Sequence, residues 1–233
     1  WDFIAPSFLE DYCVAAIDLS GMGDSEHRQN YSQTLYGEEI KAVCDDMNWD
    51  SADFLAHSMA GPISVKTAST YPELFKSLFL LDSIIIVPPD KARSFSGRGS
   101  MVRTDFVYED LESAVESFRL IPPQPCRHDF LLKHIALNSF KETEAGWMLK
   151  SDGLIMKTYQ YEDLTDIFMN LKCPIYLVYG LMSQIFSQEI LDYTKYVGNL
   201  SEEAVIGIPG AMHHLFIDEP IVFVEEIKKL LKK

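Results

Sequence analysis

Short runs that are apolar at nearly every position alternate along this chain with stretches whose apolar residues recur every three or four. Cys13 to Leu19, Ala52 to His57 and Ser77 to Leu81 are β-rich runs of the first kind, with helical patterns between them. Strands that are apolar on both faces and joined by helices predict a parallel sheet covered on both sides. Between the first two runs, Thr34 to Asn48 sets Leu35, Ile40, Val43, Cys44 and Met47 along one helical stripe, enough to cover a sheet face. The pattern resumes with Pro174 to Gly180 as a buried strand, Gln188 to Val197 as a helix and Ala204 to Ile208 as the last strand. Pro220 to Leu230 reads as a closing amphipathic helix, and the acidic pair Asp218 and Glu219 before it suits a helix N-terminus.

The interval between the third and fourth runs is about 90 residues, far beyond what a structureless loop in a compact domain allows. It opens with the Pro/Ser/Gly-rich stretch Pro88 to Ser100 and then carries helical patterns at Glu109 to Arg119 and Asp129 to Ser139, split by Pro122, Pro123 and Pro125. These features predict a mostly helical cap inserted into the sheet domain. The resulting division is residues 1–83 for the first part of the core, 84–172 for the cap and 173–233 for the second part of the core. The run Phe118 to Pro125 stands out in composition but offers no recognisable chemistry. Arg119 within it is expected in a structural salt bridge rather than on a substrate carboxylate.

Composition narrows the function classes. The chain has 233 residues, 47% of them hydrophobic and 24% charged, as a globular protein does. With 20 Lys+Arg against 35 Asp+Glu, a formal charge of −15 argues against nucleic acid as a partner. Cys13, Cys44, Cys126 and Cys173 are too scattered for a disulfide framework or a zinc site, so no metal is expected. Gly21-Met22-Gly23 lacks the third glycine and the GK[ST] ending of phosphate loops, so no cofactor is expected either. The longest apolar run, Leu78 to Val87, is interrupted by Asp82, no signal peptide is visible, and a cytoplasmic location without a membrane partner is expected. The C-terminal Lys228, Lys229, Lys232 and Lys233 offset a helix dipole and make no anchor. The chain opens on Trp1 rather than Met, which suggests part of a longer polypeptide.

The most informative stretch is Phe54-Leu55-Ala56-His57-Ser58-Met59-Ala60-Gly61, where an apolar strand runs into a helix expected over Gly61 to Thr70. A tight, strained turn that pushes the Ser58 hydroxyl clear of the backbone needs small residues two before and two after it. Ala56 and Ala60 are small, although the usual G-x-S-x-G pattern has glycine at both places. A serine that merely caps the helix is the bland alternative.

Two further segments bear on that choice. Asp18-Leu19-Ser20-Gly21-Met22-Gly23-Asp24-Ser25 follows the first strand, and Gly210-Ala211-Met212-His213-His214-Leu215 follows the last. With the Ser58 turn between them, the chain resembles the α/β-hydrolases, which carry D-x-x-G-x-G-x-S, G-x-S-x-G and G-x-x-H after their strands 4, 5 and 8. The resemblance spans nearly the whole chain and implies a mostly parallel α/β-hydrolase sheet flanked by helices. It makes the visible strands 4 to 8 and leaves strands 1 to 3 to precede Trp1. It also implies that Ser58 is the nucleophile and His213 the general base, with His214 the competing assignment. His57 occupies the free position before the nucleophile, where packing or a local hydrogen bond is expected; His27, His128 and His134 have no motif context.

The third member is less direct. The loop Gly180-Leu181-Met182-Ser183-Gln184, where many members carry an acid, has no carboxylate before Glu189. Another branch of the family takes its acid from the end of strand 6, which here is Asp82; the alternative is that Asp82 caps the turn into the cap domain. The resemblance assigns one oxyanion-hole donor to the backbone N–H of Met59 and the second to a loop before Trp1, without which turnover is expected to be badly impaired. Tyr108, Phe118, Trp147, Tyr159, Tyr161 and Phe168 are expected to form the cap's own core, some of them lining an apolar pocket over Ser58.

The resulting expectation is a serine hydrolase that takes a small or medium carboxylic ester through an acyl-enzyme. A thioester or carbon–carbon bond hydrolase would use the same serine and histidine, and a hydrolase-like ligand-binding protein with weak or lost turnover is the alternative from another class. Serine at position 58 disfavours the epoxide and halide chemistry of relatives with a nucleophilic Asp.

Overall fold

A computed structural model describes residues 1–91, 106–160 and 162–232. In chain order the described elements are α1 (Gln33–Asp46), β1 (Ala52–His57), α2 (Ala60–Thr70) and β2 (Phe75–Leu81), then α3 (Leu111–Ser117), α4 (Asp129–Ser139), β3 (Phe140–Thr143), β4 (Gly146–Leu149), α5 (Ile155–Thr158) and α6 (Thr165–Met169). They close with β5 (Ile175–Gly180), α7 (Gln188–Gly198), β6 (Val205–Ile208), α8 (Leu215–Asp218) and α9 (Pro220–Leu231).

The sheet has the order β1-β2-β5-β6 with all three pairings parallel. Alternation along the strands sorts their side chains onto two faces. Leu78 and Leu80 of β2 and Leu177 of β5 join α2, α6 and α7 through Val65, Phe168 and Leu191. Phe79, Leu81 and Val178 meet Ile4, Phe8 and the α9 residues Phe223 and Ile227 on the other face. Local signals set the helix ends: Ser32 caps α1 by accepting the Leu35 N–H, Ser187 caps α7 by accepting the Ile190 N–H, and Pro220 occupies the first turn of α9.

The expected first strand differs. Cys13 to Leu19 forms no helix or strand and belongs to neither described sheet, and Val14 and Ile17 are exposed. Residues 12–17 and 51–55 are among those that line a groove of about 600 Å³. A run of strand-forming residues becomes a strand only when a neighbour completes its ladder, and among the described residues none does so here.

The interval after β2 is also not purely helical. It contains the antiparallel β3–β4 hairpin, whose turn uses Gly146 at φ +128° and a Thr143 hydroxyl donating to the Gly146 carbonyl. Strands of four residues are too short to show a period in sequence. Tyr108 and Phe118 pack edge-on against Phe140 within this region, but Phe168 is buried against the main sheet, and Tyr159 joins Tyr31, Tyr36 and Ile63. Arg119 donates to the carbonyls of Glu116 and Phe118 at the end of α3, and the expected salt bridge is not found among the described residues. Tyr161, Lys233 and the Pro88 to Ser100 stretch from residue 92 onward lie outside the described residues.

Candidate active site

Ser58 sits between β1 and α2 with φ +52°, a left-handed conformation that ends the strand and swings the side chain off the sheet. Three hydrogen bonds hold this turn. The Ser58 N–H donates to the Leu81 carbonyl at 3.1 Å, and the Ser58 carbonyl accepts the Gly61 N–H at 3.0 Å and the Ser83 hydroxyl at 2.5 Å. Ala56 and Ala60 fit against the core, while the strict demand for glycine falls one residue later: a Cβ on Gly61 would lie 1.9 Å from Ser83 Oγ. The turn keeps the small-residue requirement of the expected motif with its glycine displaced.

Asp82 occupies the equivalent place on the neighbouring strand. His57 and Leu81 are the last register partners of β1 and β2, so Ser58 and Asp82 leave the sheet side by side. Asp82 is fully buried with φ +44° and donates its N–H to the Val178 carbonyl. Its Oδ2 accepts the Gly180 N–H at 2.9 Å and its Oδ1 accepts the Ser183 hydroxyl at 2.7 Å.

His213 follows β6 and is 3% exposed. Its Nδ1 lies 2.8 Å from Asp82 Oδ1 and its Nε2 lies 2.9 Å from Ser58 Oγ. A carboxylate can only accept, so Nδ1 carries the proton and Nε2 is left with a lone pair toward the serine hydroxyl. The arrangement can move a proton from Ser58 to His213 while a negative charge stands behind the ring. Met59 follows Ser58 as the N-cap residue of α2, at a helix N-terminus where amides have no intrahelical acceptor.

The other candidates fall elsewhere. Glu189 pairs with Lys91, and Gln184 is exposed. His27 and His134 make contacts with Asp152 and Asp2, remote in sequence from Ser58, and His128 lies beside Phe130. The His214 ring stands edge-on to His213, away from the Ser58–Asp82 line of hydrogen bonds. His57 packs between His213 and Phe216 and donates Nε2–H to the His213 carbonyl at 2.9 Å. Burial, then the neighbouring His213 and His214, pushes the His57 pKa down to about 3. Burial and His213 push His214 down to about 4. Both rings are neutral at physiological pH. Burial raises the pKa of Asp218 despite the hydrogen bonds it accepts.

Ser183 and Ser83 are the residues that motif reasoning passes over. The signal for Ser183 is its place: a small hydroxyl in the loop where a carboxylate is sought and missing. Among the described residues no group of His, Cys, Asp and Glu is arranged to hold a metal ion, and no helix is long and apolar enough to cross a membrane.

Comparison with known proteins adds an independent line. A family model described as "alpha/beta hydrolase fold" matches residues 1–119. A pimeloyl-[acyl-carrier protein] methyl ester esterase of Wigglesworthia glossinidia brevipalpis is 24% identical over 100% of this chain and 88% of its own length. A serine hydrolase-like protein of Danio rerio is 25% identical over 46% of this chain, and that match spans only 34% of the zebrafish protein. Among solved structures, that of an E-2-(acetamidomethylene)succinate hydrolase superimposes with a TM-score of 0.79 at 20% identity, covering 99% of this chain and 87% of that one.

Proposed function

The chain belongs to the alpha/beta hydrolase family, and from that premise we propose that it is a serine hydrolase cleaving small or medium carboxylic esters through an acyl-enzyme. The observation that carries this reading is the unbroken line Ser58 Oγ to His213 Nε2 at 2.9 Å and His213 Nδ1 to Asp82 Oδ1 at 2.8 Å.

In this reading Ser58 Oγ attacks the ester carbonyl carbon as His213 Nε2 takes its proton. Asp82 stays ionised and stabilises the imidazolium, a role whose loss costs up to about 10⁴ in turnover. The carbonyl oxygen, now an anion, takes the Met59 N–H, a contribution of about 10²–10³ in rate for one such donor. Collapse of the tetrahedral adduct breaks the bond to the alcohol, which leaves with the proton from His213. Water then repeats the sequence on the acyl-Ser58 ester and releases the acid.

Esters are chosen over thioesters and carbon–carbon bonds because a relative that matches along the whole chain is named as a methyl ester esterase. The formal charge of −15 supports a small molecule rather than nucleic acid as partner, and four free thiols are consistent with a cytoplasmic location. The test is acyl-enzyme formation with a fluorophosphonate probe and short p-nitrophenyl esters. Parent protein is expected to label and turn over, Ser58→Ala to lose labelling and acyl-enzyme turnover, and His213→Ala to fall to a small residual rate. Labelling and turnover that persist in Ser58→Ala would overturn the reading.

A further inference from the structure

The run Phe118 to Pro125, unassigned by its composition, reaches the loop that carries His213. Gln124 places its side-chain nitrogen 3.0 Å from each carboxylate oxygen of Asp218 and its side-chain oxygen 3.0 Å from the His214 N–H. Asp218, itself buried, accepts the Met212 N–H at 2.7 Å. The amides on both sides of His213 are thus tied to two side chains that are tied to each other. The His213 carbonyl accepts from His57.

The surroundings keep this ring closed. Leu120 and Leu131 of the inserted segment pack with Ile217, and Phe118 and Cys126 lie against the same cluster. Arg127, three residues past Gln124, pairs with Glu219, next to Asp218, at 2.6 Å. Gln124 is therefore held on both flanks, and its amide offers one donor end and one acceptor end matched to a carboxylate and an N–H. No other side-chain type of this length supplies both at neutral pH.

We propose that Gln124 is a positioning residue for His213: by bridging the Asp218 carboxylate and the His214 amide, it fixes the loop so that the imidazole spans Ser58 and Asp82. This rests on the assignment of His213 as the base. The amide ties a buried carboxylate to a backbone N–H, so it satisfies two polar groups of the His213 loop at once. Its leverage lies in the ring's placement, since a displacement of about 1 Å at a reacting group can cost about 100-fold in rate.

The test is Gln124→Met, which keeps the volume and removes both hydrogen bonds. With p-nitrophenyl acetate, kcat is expected to fall about 10- to 100-fold with KM within about twofold. In a His213→Ala background the same substitution is expected to change the residual rate by less than about twofold, because the group it acts through is gone. An unchanged kcat in the single variant, or an equal further loss in the double variant, would overturn the proposal. The downfield proton resonance of the His213 Nδ1–H···Asp82 bond gives a readout that needs no turnover. It should shift or broaden in Gln124→Met, and a resonance left unmoved would sink the positioning role even if the parent proved inactive as an esterase.

Discussion

The Ser183 hydroxyl donates to Oδ1 of Asp82 at 2.7 Å, the same oxygen that faces Nδ1 of His213. The loop after β5, which carries no acid of its own near this point, instead supplies a hydroxyl that steadies an acid on the neighbouring strand, and the Gly180 amide holds the second oxygen. One carboxylate oxygen is turned toward the ring and the other is kept occupied.

Asp82→Asn should therefore cost more than any change in the loop. The expected loss is up to about 10⁴ in kcat, because an amide nitrogen facing Nδ1 favours the wrong tautomer and leaves the imidazolium unsupported. Ser183→Ala should cost about tenfold, the worth of one hydrogen bond to a charged group. Gln184→Asp should gain nothing, since that side chain is exposed. Steady-state kinetics on p-nitrophenyl esters would check the order, and an Asp82→Asn variant as fast as the parent would remove Asp82 from the site.

Gly61→Ala should damage the turn more than Ala60→Gly does. A methyl at 61 would meet Ser83 Oγ at 1.9 Å and displace the hydroxyl that holds the Ser58 carbonyl. Overpacking of this kind typically costs about 1–3 kcal/mol, whereas glycine at a helix position costs at most about 1 kcal/mol. Thermal melts of the two variants would decide between them.

Stability should fall as the solution is acidified. His57 and His214 resist protonation in the folded protein, with values near 3 and 4 against an ordinary 6.5. Below the ordinary value the unfolded chain binds protons that the folded chain refuses, so the unfolding free energy decreases from pH 6.5 downward. Urea melts would show the slope. His57→Gln, which keeps a donor for the His213 carbonyl and does not titrate, should flatten it.

Backbone amides of Cys13 to Leu19 should exchange with solvent far faster than those of β2, despite equally apolar sequence. The first run has no ladder partner among the described residues, and β2 is paired on both sides. Hydrogen-exchange mass spectrometry resolves the two segments, and equal protection would contradict the unpaired state described for residues 13–19.

Where the chain's own pattern was strong, the fold was legible. The four parallel strands and their covering helices follow from runs buried on both faces and from stripes at helical spacing, and their ends lie within two or three residues of the expected ones. The strand expected at Cys13 to Leu19 failed because strand formation depends on a neighbour that a local pattern cannot reveal. For the site, Ser58 could be read from the demands of a turn, but the approach of Asp82 and His213 depends on sheet order, which motifs imply and do not measure. The role of Gln124, and the partner that Ser183 meets, were illegible for a different reason. A hydroxyl or an amide has no distinctive spacing, and only coordinates show which carboxylate it meets.

Ser58 and Asp82 both leave their strands in left-handed backbone, at one level of the sheet. Neither strand can add another rung there, so the sheet stops in a level sill. Because main chain rather than bulky side chains shapes this sill, substitutions among the neighbouring side chains would leave Ser58 and Asp82 where they are. The stretch around Gln124 is different, because among the described residues its side chain is tied directly to the loop that carries His213.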